Sequence, residues 1–316
     1  MRVAVGISGG VDSAVAALLL KEQGHELVGV TMTLGRADEA KSVAEAQAVA
    51  GRLGIPLKVF DFSHEWNSCV LDYIRATYLG GQTPNPCVRC NETVKFGLLP
   101  QAAFELGCDR FATGHYARVV FRLSSPVLLR GVDKAKDQSY FLYRVKPEIL
   151  ARTVFPLGGL TKDAVRAKAR AFGFEAADRG DSQDFCGGDA MDVVGHPDCE
   201  GEIVTSSGKV LGKHRGFWHY TIGKRKGLGI GGGIPYYVIG LDAAQNRVIV
   251  GFREEAVRHD LDLADTVGTI DKGLPVKVRS AGEPKLLSEG IAGIAPGQSA
   301  VFYDGDTVVG GGIIRR

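Results

Sequence analysis

The chain has 316 residues, 45% of them hydrophobic, and a formal net charge of only +2 at pH 7. This length is too great for one ordinary domain core, so two or three domains are expected. The balanced charge excludes nucleic-acid binding by the whole surface and leaves only local basic patches for that role.

The first 115 residues alternate between strand and helix patterns. They open on a short β-rich run rather than a signal peptide, and no apolar run approaches the roughly 20 residues that span a bilayer, which predicts a cytoplasmic protein. Strands are predicted at residues 3–7, 27–32, 57–60 and 110–113, and helices at 11–23, 39–53, 66–78 and 92–106. This order is typical of an α/β fold in which a parallel sheet has flanking helices and ligands bind beyond the carboxyl ends of its strands.

The rest of the chain changes in character. A helical region is predicted to continue to about residue 177, but from residue 200 onward glycine is frequent and helical periodicity disappears. Short strands are predicted at residues 236–239, 247–250 and 299–303, separated by turn signals, which indicates two small β domains. The predicted domains are an α/β domain at 1–199, a β-rich domain at 200–259 and a barrel-like β domain at 260–316.

A glycine-rich segment, GISGGVDS at residues 6–13, joins the first strand to the first helix. Its backbone N–H groups and the helix N-terminus can cradle an anion, and its glycines let a phosphate approach the backbone. The structural alternative is an ordinary turn with Asp12 and Ser13 in the first helical turn. The segment fits neither the Walker P-loop nor the G-x-G-x-x-G pattern. It resembles the SGGxDS signature of the PP-loop (N-type) ATP pyrophosphatases, which have an adenine nucleotide alpha hydrolase-like fold and activate a substrate oxygen by adenylation.

A second segment, TPNPCVRCN at residues 83–91, places two of the six cysteines in what we interpret as a proline-stiffened turn. By itself, such a pair suits a zinc site, a disulfide, an iron–sulfur cluster or a sulfur-transferring thiol. The choice among these depends on the rest of the sequence.

Six blocks follow one another in the chain: TPNPCVRCN, ATGHYAR, KDQSYFLY, DSQDFC, HYTIGKRKGLGIGGG and PGQSAVFYDGD. Together, from residue 2 to about residue 314, they resemble the tRNA-specific 2-thiouridylase (MnmA) family, which replaces the 2-oxygen of the wobble uridine with sulfur. The resemblance implies a tRNA sulfurtransferase that uses ATP and Mg²⁺ to adenylate the uridine C2 oxygen and releases AMP and pyrophosphate. It also implies two partners: a tRNA with a wobble uridine, and a sulfur donor, which is a cysteine desulfurase, a relay protein or free sulfide.

The resemblance further implies roles for individual residues. The implied ATP contacts are Gly6, Ile7, Ser8, Gly9, Gly10, Val11, Asp12, Ser13, Met32 and Gly114. The implied catalytic residues are Asp12, the nucleophile Cys90, the persulfide carrier Cys186, and Cys87 beside the target base. The implied tRNA contacts are Asn85, Pro86, Cys87, His115, Lys136, Asp137, Gln138 and Gln298.

Cys87 departs from the family pattern, because many members have Asp at this position. With Cys90 and Cys186 it provides three thiolates, which can hold three irons of a [4Fe–4S] cluster and leave the fourth open to sulfide. One alternative is zinc with a fourth ligand such as His115. The other is a metal-free mechanism, in which one cysteine brings the sulfur and a second releases it, leaving a disulfide that thiols reduce.

A basic stretch at residues 203–241 contains six Lys or Arg and no Asp or Glu. Positive charge near aromatic side chains suits the RNA backbone and unstacked bases. We interpret its charged residues as RNA contacts: Lys213, Arg215, Lys224, Arg225 and Lys226. We interpret its aromatic residues as the core of a β domain: Phe217, Trp218 and Tyr220.

Two other functions are compatible with part of the sequence. A PP-loop adenylating ligase or amidotransferase-type enzyme acting on a small molecule would leave the cysteine pair and the basic stretch without a purpose. A non-catalytic, nucleotide-sensing RNA-binding module would not need Asp12, Ser13, Cys90 and Cys186.

Overall fold

The computed structural model describes residues 1–174, 189–231 and 235–315. These residues divide into two compact units. Unit 1 contains residues 1–70, 87–174 and 305–308, and unit 2 contains residues 71–86, 189–231, 235–304 and 309–315. The division into three domains at residues 199 and 259 stays a prediction.

Unit 1 is built on a parallel sheet, as the sequence predicted. The strands of unit 1 are β1 (Arg2–Gly6), β2 (Glu26–Thr33), β3 (Leu57–Asp61), β4 (Arg110–Ala112), β5 (Ala117–Arg122), β6 (Ser125–Arg130) and β7 (Thr153–Val154), of which β5 and β6 form a hairpin outside the parallel sheet. The sheet order is β3-β2-β1-β4-β7, and all neighbours are parallel. Val3, Ala4 and Val5 of β1 are almost fully buried, as expected for a central strand covered on both faces.

The helices begin and end largely where the sequence signals them. They are α1 (Val11–Glu22), α2 (Glu39–Leu53), α3 (Ser63–Trp66), α4 (Asp72–Leu79), α5 (Pro86–Cys90), α6 (Leu99–Glu105), α7 (Pro147–Leu150), α8 (Lys162–Phe172) and α9 (Ala190–Val194). Two π-helical segments join consecutive helices, Asn67–Leu71 between α3 and α4 and Asn91–Leu98 between α5 and α6. Helices α2 and α8 both end at a glycine, Gly54 and Gly173, in the left-handed conformation that favours this residue.

Two sequence predictions for residues 86–130 were wrong. The helix predicted from residue 92 begins at Pro86, so the cysteine pair lies in helix α5 and not in the turn before it. Proline suits the first helical position, because its missing N–H has no partner there and its φ angle is already helical. The predicted helical region after residue 115 contains the hairpin β5–β6, whose two turn residues, Leu123 and Ser124, have positive φ angles of 47° and 67°. Such turns normally use Gly or Asn, so this one carries no recognisable signal.

Unit 2 holds the remaining strands. They are β8 (Gly201–Thr205), β9 (Val210–His214), β10 (Tyr237–Asp242), β11 (Arg247–Gly251), β12 (Val257–Arg258), β13 (Leu263–Gly268), β14 (Val276–Lys277), β15 (Ile291–Ala292), β16 (Ser299–Asp304) and β17 (Thr307–Ile314), of which the first two residues of β17 belong to unit 1. A four-stranded sheet has the order β10-β11-β8-β9, and separate pairings join β14 with β16 and β13 with β17. Two separate apolar clusters lie under these strands, one around Ile203 and Val248 and one around Val276 and Phe302.

Among the described residues, no helix has both the length and the apolar character needed to cross a bilayer.

Candidate active site

The predicted phosphate cradle lies at the carboxyl end of β1, the middle strand of the parallel sheet. Gly10, with an extended backbone, precedes α1, and the Ser13 hydroxyl accepts a hydrogen bond from the Ser8 N–H (3.1 Å) and donates one to the Gly10 carbonyl (3.0 Å). Gly9 has a φ angle of +80°, and a Cβ there would lie 2.5 Å from the Cβ of Glu45 on α2. The glycine is therefore required, and the N-terminal N–H groups of α1 fit a phosphate.

Asp12, in the first turn of α1, is held by two side chains. The Lys162 ammonium lies 2.8 Å from both carboxylate oxygens, and the Tyr116 hydroxyl donates a hydrogen bond of 2.8 Å to Oδ1. The Lys162 side chain is only 7% exposed and its ammonium lies 5.7 Å from the centre of the Tyr116 ring, whereas the Asp12 side chain is 33% exposed. A buried lysine cation thus neutralises Asp12 at the mouth of the cradle.

The loop after β4 packs directly on the cradle. A Cβ at Gly114 would lie 2.7 Å from the carbonyl carbon of Asp12 and 2.8 Å from the backbone nitrogen of Ser13, so only glycine permits this approach. Met32 lies near the end of β2, which pairs with β1 on the side opposite β4. The structure therefore places the two predicted adenosine contacts on either side of the cradle, Met32 on β2 and Gly114 in the loop after β4.

His115 lies next to this loop in an apolar setting. Its ring centre is 5.5 Å from that of Phe96 and 6.0 Å from that of Phe155, and its Nδ1 is hydrogen-bonded to the Thr113 hydroxyl at 2.8 Å. Burial, and secondarily the charge of Lys95, hold the pKa of His115 well below its usual value. The imidazole is therefore neutral at neutral pH.

The other predicted tRNA contacts of unit 1 lie in the loop after β6. The Asp137 carboxylate is fully buried and accepts hydrogen bonds from the backbone N–H groups of Gly131 and Ser139, the Ser139 hydroxyl and the Arg130 guanidinium. Gln138 accepts a hydrogen bond from the backbone N–H of Tyr116 through its side-chain oxygen (3.0 Å). These two side chains hold the loop in place, and Lys136 beside them is half-buried. Contact of these residues with tRNA stays a prediction.

Cys87 and Cys90 lie one turn apart on α5, Cys87 half-buried and Cys90 buried. The π-helical segment that follows is anchored by Glu92, which forms ion pairs with Arg144 (2.9 Å) and Arg89 (3.5 Å). Burial opposes the charge of Arg144, but the hydrogen bond and charge of Glu92 outweigh it and raise the pKa of the guanidinium. Charged contacts therefore fix the segment that directly follows the cysteines.

Cys186, the third predicted thiolate, lies outside the described residues. Within residues 1–174, 189–231 and 235–315, no three His, Cys, Asp or Glu side chains are grouped so that they could hold a metal ion.

The remaining predicted contacts lie in unit 2. Asn85 is 6% exposed, and Gln298 donates a hydrogen bond to the carbonyl of Pro84, so the structure brings these two predicted tRNA contacts into one neighbourhood. In the basic stretch, the prediction of an aromatic core is confirmed: Phe217, Trp218 and Tyr220 are at most 9% exposed and belong to one apolar cluster.

The charges of the basic stretch are not equivalent. Lys213 pairs with Glu200 (2.6 Å) and Arg215 with Asp198 (3.4 Å), two acids that lie just before the stretch in the sequence. The Lys224 ammonium lies 4.9 Å from the centre of the Tyr220 ring and donates a hydrogen bond to the carbonyl of His219. Lys224 and the next two residues, Arg225 and Lys226, are all exposed.

Three family models and several named proteins match this chain. A family model described as "tRNA methyl transferase HUP domain" matches residues 1–187, and models described as "tRNA methyl transferase PRC-barrel domain" and "Aminomethyltransferase beta-barrel domain" match residues 194–252 and 285–314. Three similar proteins carry the name tRNA-specific 2-thiouridylase MnmA. The protein of Acidithiobacillus ferrooxidans is 44% identical over 345 residues, covering 99% of this chain and 98% of the relative. That of Endomicrobium trichonymphae is 41% identical (99% and 99%), and that of Geotalea uraniireducens is 43% identical (100% and 95%).

Sequence reasoning missed Lys162 and Tyr116, the two side chains that hold Asp12. One signal was present for the lysine. Lys162 is the first residue of α8 after the capping Thr161, a position where the helix dipole disfavours a cation. A lysine at that point indicates that an anionic group lies close by.

The Asp12–Lys162 contact predicts an unequal effect of two lysine substitutions on α8. Lys162→Met should lower the free energy of unfolding by roughly 2–3 kcal/mol, because it leaves a partly buried carboxylate without its cation. Lys168→Met should change it by at most about 0.5 kcal/mol, because Lys168 is only half-buried and its partner Glu22 is exposed to solvent. Urea unfolding measures both values. The free energy of unfolding should recover when Asp12→Ala is added to Lys162→Met, because the carboxylate without a cation is then removed. Equal losses for Lys162→Met and Lys168→Met, or no recovery in the double variant, would contradict the importance of the Asp12–Lys162 pair.

Proposed function

The chain belongs to the tRNA-specific 2-thiouridylase family, and on that premise we propose that it adenylates the C2 oxygen of the wobble uridine in tRNA with ATP and then replaces this oxygen with sulfur. It is accordingly a tRNA sulfurtransferase. The steps of the reaction and the roles of single residues are our proposal.

The observation that supports this function best is a chain of contacts within unit 1. Gly114 packs on Asp12 in the phosphate cradle, the adjacent His115 contacts Phe96, and Phe96 lies in the π-helical segment that continues directly from Cys90. An anion cradle and a cysteine pair are thus joined through two contacts and the helical chain between Cys90 and Phe96. A ligase that activates a small carboxylate would have no use for the cysteine pair.

The proposed chemistry explains why both parts are needed. The C2 carbonyl of uracil is a poor electrophile without a leaving group. Attack of its oxygen on the α-phosphorus of ATP forms a C–O–P bond and releases pyrophosphate. A sulfur nucleophile then attacks C2, the C2–O bond breaks, and AMP leaves with the former uridine oxygen. The thiolate or persulfide is the reactive form of a cysteine in such a step.

In the metal-free version, Cys186 carries the incoming sulfur as a persulfide. Its terminal sulfur attacks C2, and Cys90 then attacks the Cys186 sulfur, so that the transferred atom stays on the base. The two cysteines form a disulfide, which external thiols reduce. Cys87 has no covalent task in this version.

The residues around the cradle have the properties that the adenylation step requires. The N–H groups at the start of α1 would bind the phosphates, and Lys162 would supply positive charge for the departing pyrophosphate. Mg²⁺, when bound with ATP, would further neutralise the phosphate charge. His115, as a neutral imidazole, can donate or accept a hydrogen bond near the base without adding charge to the site.

The first prediction concerns the products. Turnover with tRNA should yield AMP and pyrophosphate, because adenylation breaks the bond between the α- and β-phosphates. Asp12→Asn should lower the adenylation rate at least about 100-fold, because it removes the carboxylate that would hold Mg²⁺ and that fixes Lys162, while tRNA affinity stays within about twofold. Asp163→Asn, an exposed carboxylate in the first turn of α8, is the matched control and should behave as the wild type. Formation of only ADP and phosphate would refute the proposal.

The second prediction concerns Cys87. Its separation from Cys90 by one helical turn puts both thiolates on one face of α5, as two ligands of one centre would be. We therefore expect that the anaerobically reconstituted protein contains several irons per chain and has a broad absorption band in the blue part of the visible spectrum. Cys87→Ala should lose the iron and the absorbance, along with most thiolation supported by free sulfide. Full thiolation by metal-free Cys87→Ala would refute the cluster and favour the persulfide pair.

The third prediction concerns the basic stretch. Replacing Arg225 and Lys226 together by Ala should reduce the slope of log affinity for tRNA against log salt by up to about two, roughly one for each phosphate that the protein no longer neutralises. The control Lys213→Ala/Arg215→Ala removes the same charge from side chains that are already paired with acids. Its slope should change much less. Equal changes in both double variants would show that only overall charge matters.

A further inference from the structure

The loop that leads into the cysteine helix, residues 81–85, has no regular secondary structure of its own. Its last three residues are nevertheless buried, with Thr83 and Asn85 only 8% and 6% exposed. Pro84 has no N–H to offer, and an irregular segment with few backbone donors cannot fix its own conformation by local hydrogen bonds. The position of this loop must therefore be set by contacts from elsewhere.

Those contacts come from a turn near the end of the chain, residues 296–298. The side-chain amide of Gln298 donates to the carbonyls of Pro84 (2.6 Å) and Thr83 (3.3 Å). The N–H of Thr83 donates to the carbonyl of Pro296 (2.8 Å). One face of the loop is thus bonded to the turn through both backbone and side-chain groups.

Tyr73, on α4, connects the same two segments from the side. Its hydroxyl accepts a hydrogen bond from the N–H of Asn85 (3.0 Å) and lies within donating distance of the carbonyl of Gly297 (3.5 Å). Asn85 is the last residue before α5 begins at Pro86. The network therefore reaches the residue immediately preceding the cysteine helix.

The turn itself cannot easily shift. Gly297 has a φ angle of +88°, and a Cβ there would lie 2.7 Å from the carbonyl oxygen of Thr83. Two backbone hydrogen bonds of 2.8 Å join the turn to Ile314 in β17. The N–H of Gly297 donates to the carbonyl of Ile314, and the N–H of Ile314 donates to the carbonyl of Gln298. The turn is a fixed part of unit 2 against which the loop is held.

We propose that Gln298 is a positioning residue for sulfur transfer. By holding the loop at residues 83–85 it fixes the start of helix α5, which carries Cys87 and Cys90. This deepens the proposed function and rests on it. It differs from the role that the family resemblance implies for Gln298, which is a contact with tRNA. The two roles make different predictions for the protein in the absence of RNA.

Three substitutions separate the elements of this role. Gln298→Glu replaces the donor by a carboxylate that faces two carbonyl oxygens, so it should disrupt the loop most. Gln298→Asn keeps the amide but is one methylene shorter, so it should not reach Pro84. Tyr73→Phe removes the hydroxyl that joins Asn85 to the turn without changing Gln298. The control is Gln245→Glu, the same chemical change at an exposed glutamine of unit 2.

The first measurement is the rate at which iodoacetamide alkylates each cysteine in the reduced, full-length protein without tRNA. Trypsin cleaves after Arg89, so Cys87 and Cys90 fall on separate peptides and are read independently by mass spectrometry. The second measurement is tRNA affinity, and the third is the rate of thiolation at saturating tRNA.

We expect alkylation of the buried Cys90 to accelerate about tenfold in Gln298→Glu, the change that corresponds to losing one hydrogen bond that orders the loop. Gln298→Asn and Tyr73→Phe should also accelerate the alkylation of Cys90, by a smaller factor. Thiolation at saturating tRNA should fall by a similar factor, with tRNA affinity within about twofold of the wild type. Gln245→Glu should change none of the three values.

Unchanged alkylation of Cys90 in all three variants would overturn the proposal, and a loss of tRNA affinity alone would show that Gln298 is a tRNA contact. If Gln298→Glu fails to fold, Gln298→Asn and Tyr73→Phe decide the question. The alkylation measurement needs neither ATP nor tRNA. A wild-type protein that does not thiolate tRNA would therefore refute the proposed function, while the positioning role is still decided by the cysteine rates.

Discussion

The close approach of two backbones, at Gly114 and at the first turn of α1, is the constraint on which the candidate site depends. A Cβ at Gly114 would lie 2.7 Å from the carbonyl carbon of Asp12, closer than side-chain carbons come to backbone atoms in proteins. The two residues after this glycine then extend in two directions. His115 reaches the aromatic ring of Phe96 in the segment after the cysteine helix, and Tyr116 reaches the Asp12 carboxylate. One glycine therefore ties the cradle to the segment that directly follows the cysteine helix.

The charges at the cradle follow from this geometry. The N-terminal dipoles of α1 favour an anion, and the Lys162 ammonium adds a full positive charge at the same place. The Asp12 carboxylate balances this lysine. His115 does not add a competing charge, because its burial keeps it neutral. A phosphate that enters the cradle would therefore interact with the N-terminal dipoles of α1 and with the Lys162 ammonium. The Asp12 carboxylate that balances this ammonium is one-third exposed to solvent.

Local patterns in the sequence predicted the parallel sheet, the glycine-rich cradle and the aromatic core of the basic stretch, because each depends on residues close together in the chain. The hairpin at 117–130 was missed because its turn uses Leu123 and Ser124, which carry no turn signal. The contact of Lys162 with Asp12 was missed for another reason. The two residues are 150 positions apart, and only the packing of α8 against α1 brings them together. A contact between residues so far apart in the sequence cannot be predicted from the pattern of neighbouring residues.

The family resemblance implied a role for single positions but did not specify what each side chain contacts. Asp137, Gln138 and Gln298 were all matched to tRNA contacts, yet each directs its polar atoms at backbone groups of a nearby loop. A side chain used in this way shapes the surface that a substrate meets, even where it does not touch the substrate itself. Loops at binding sites have few backbone hydrogen bonds of their own, so they need such side chains more than helices or strands do. A motif residue beside a substrate can therefore be required for the conformation of the loop, and its contacts in the absence of the substrate show which role it has.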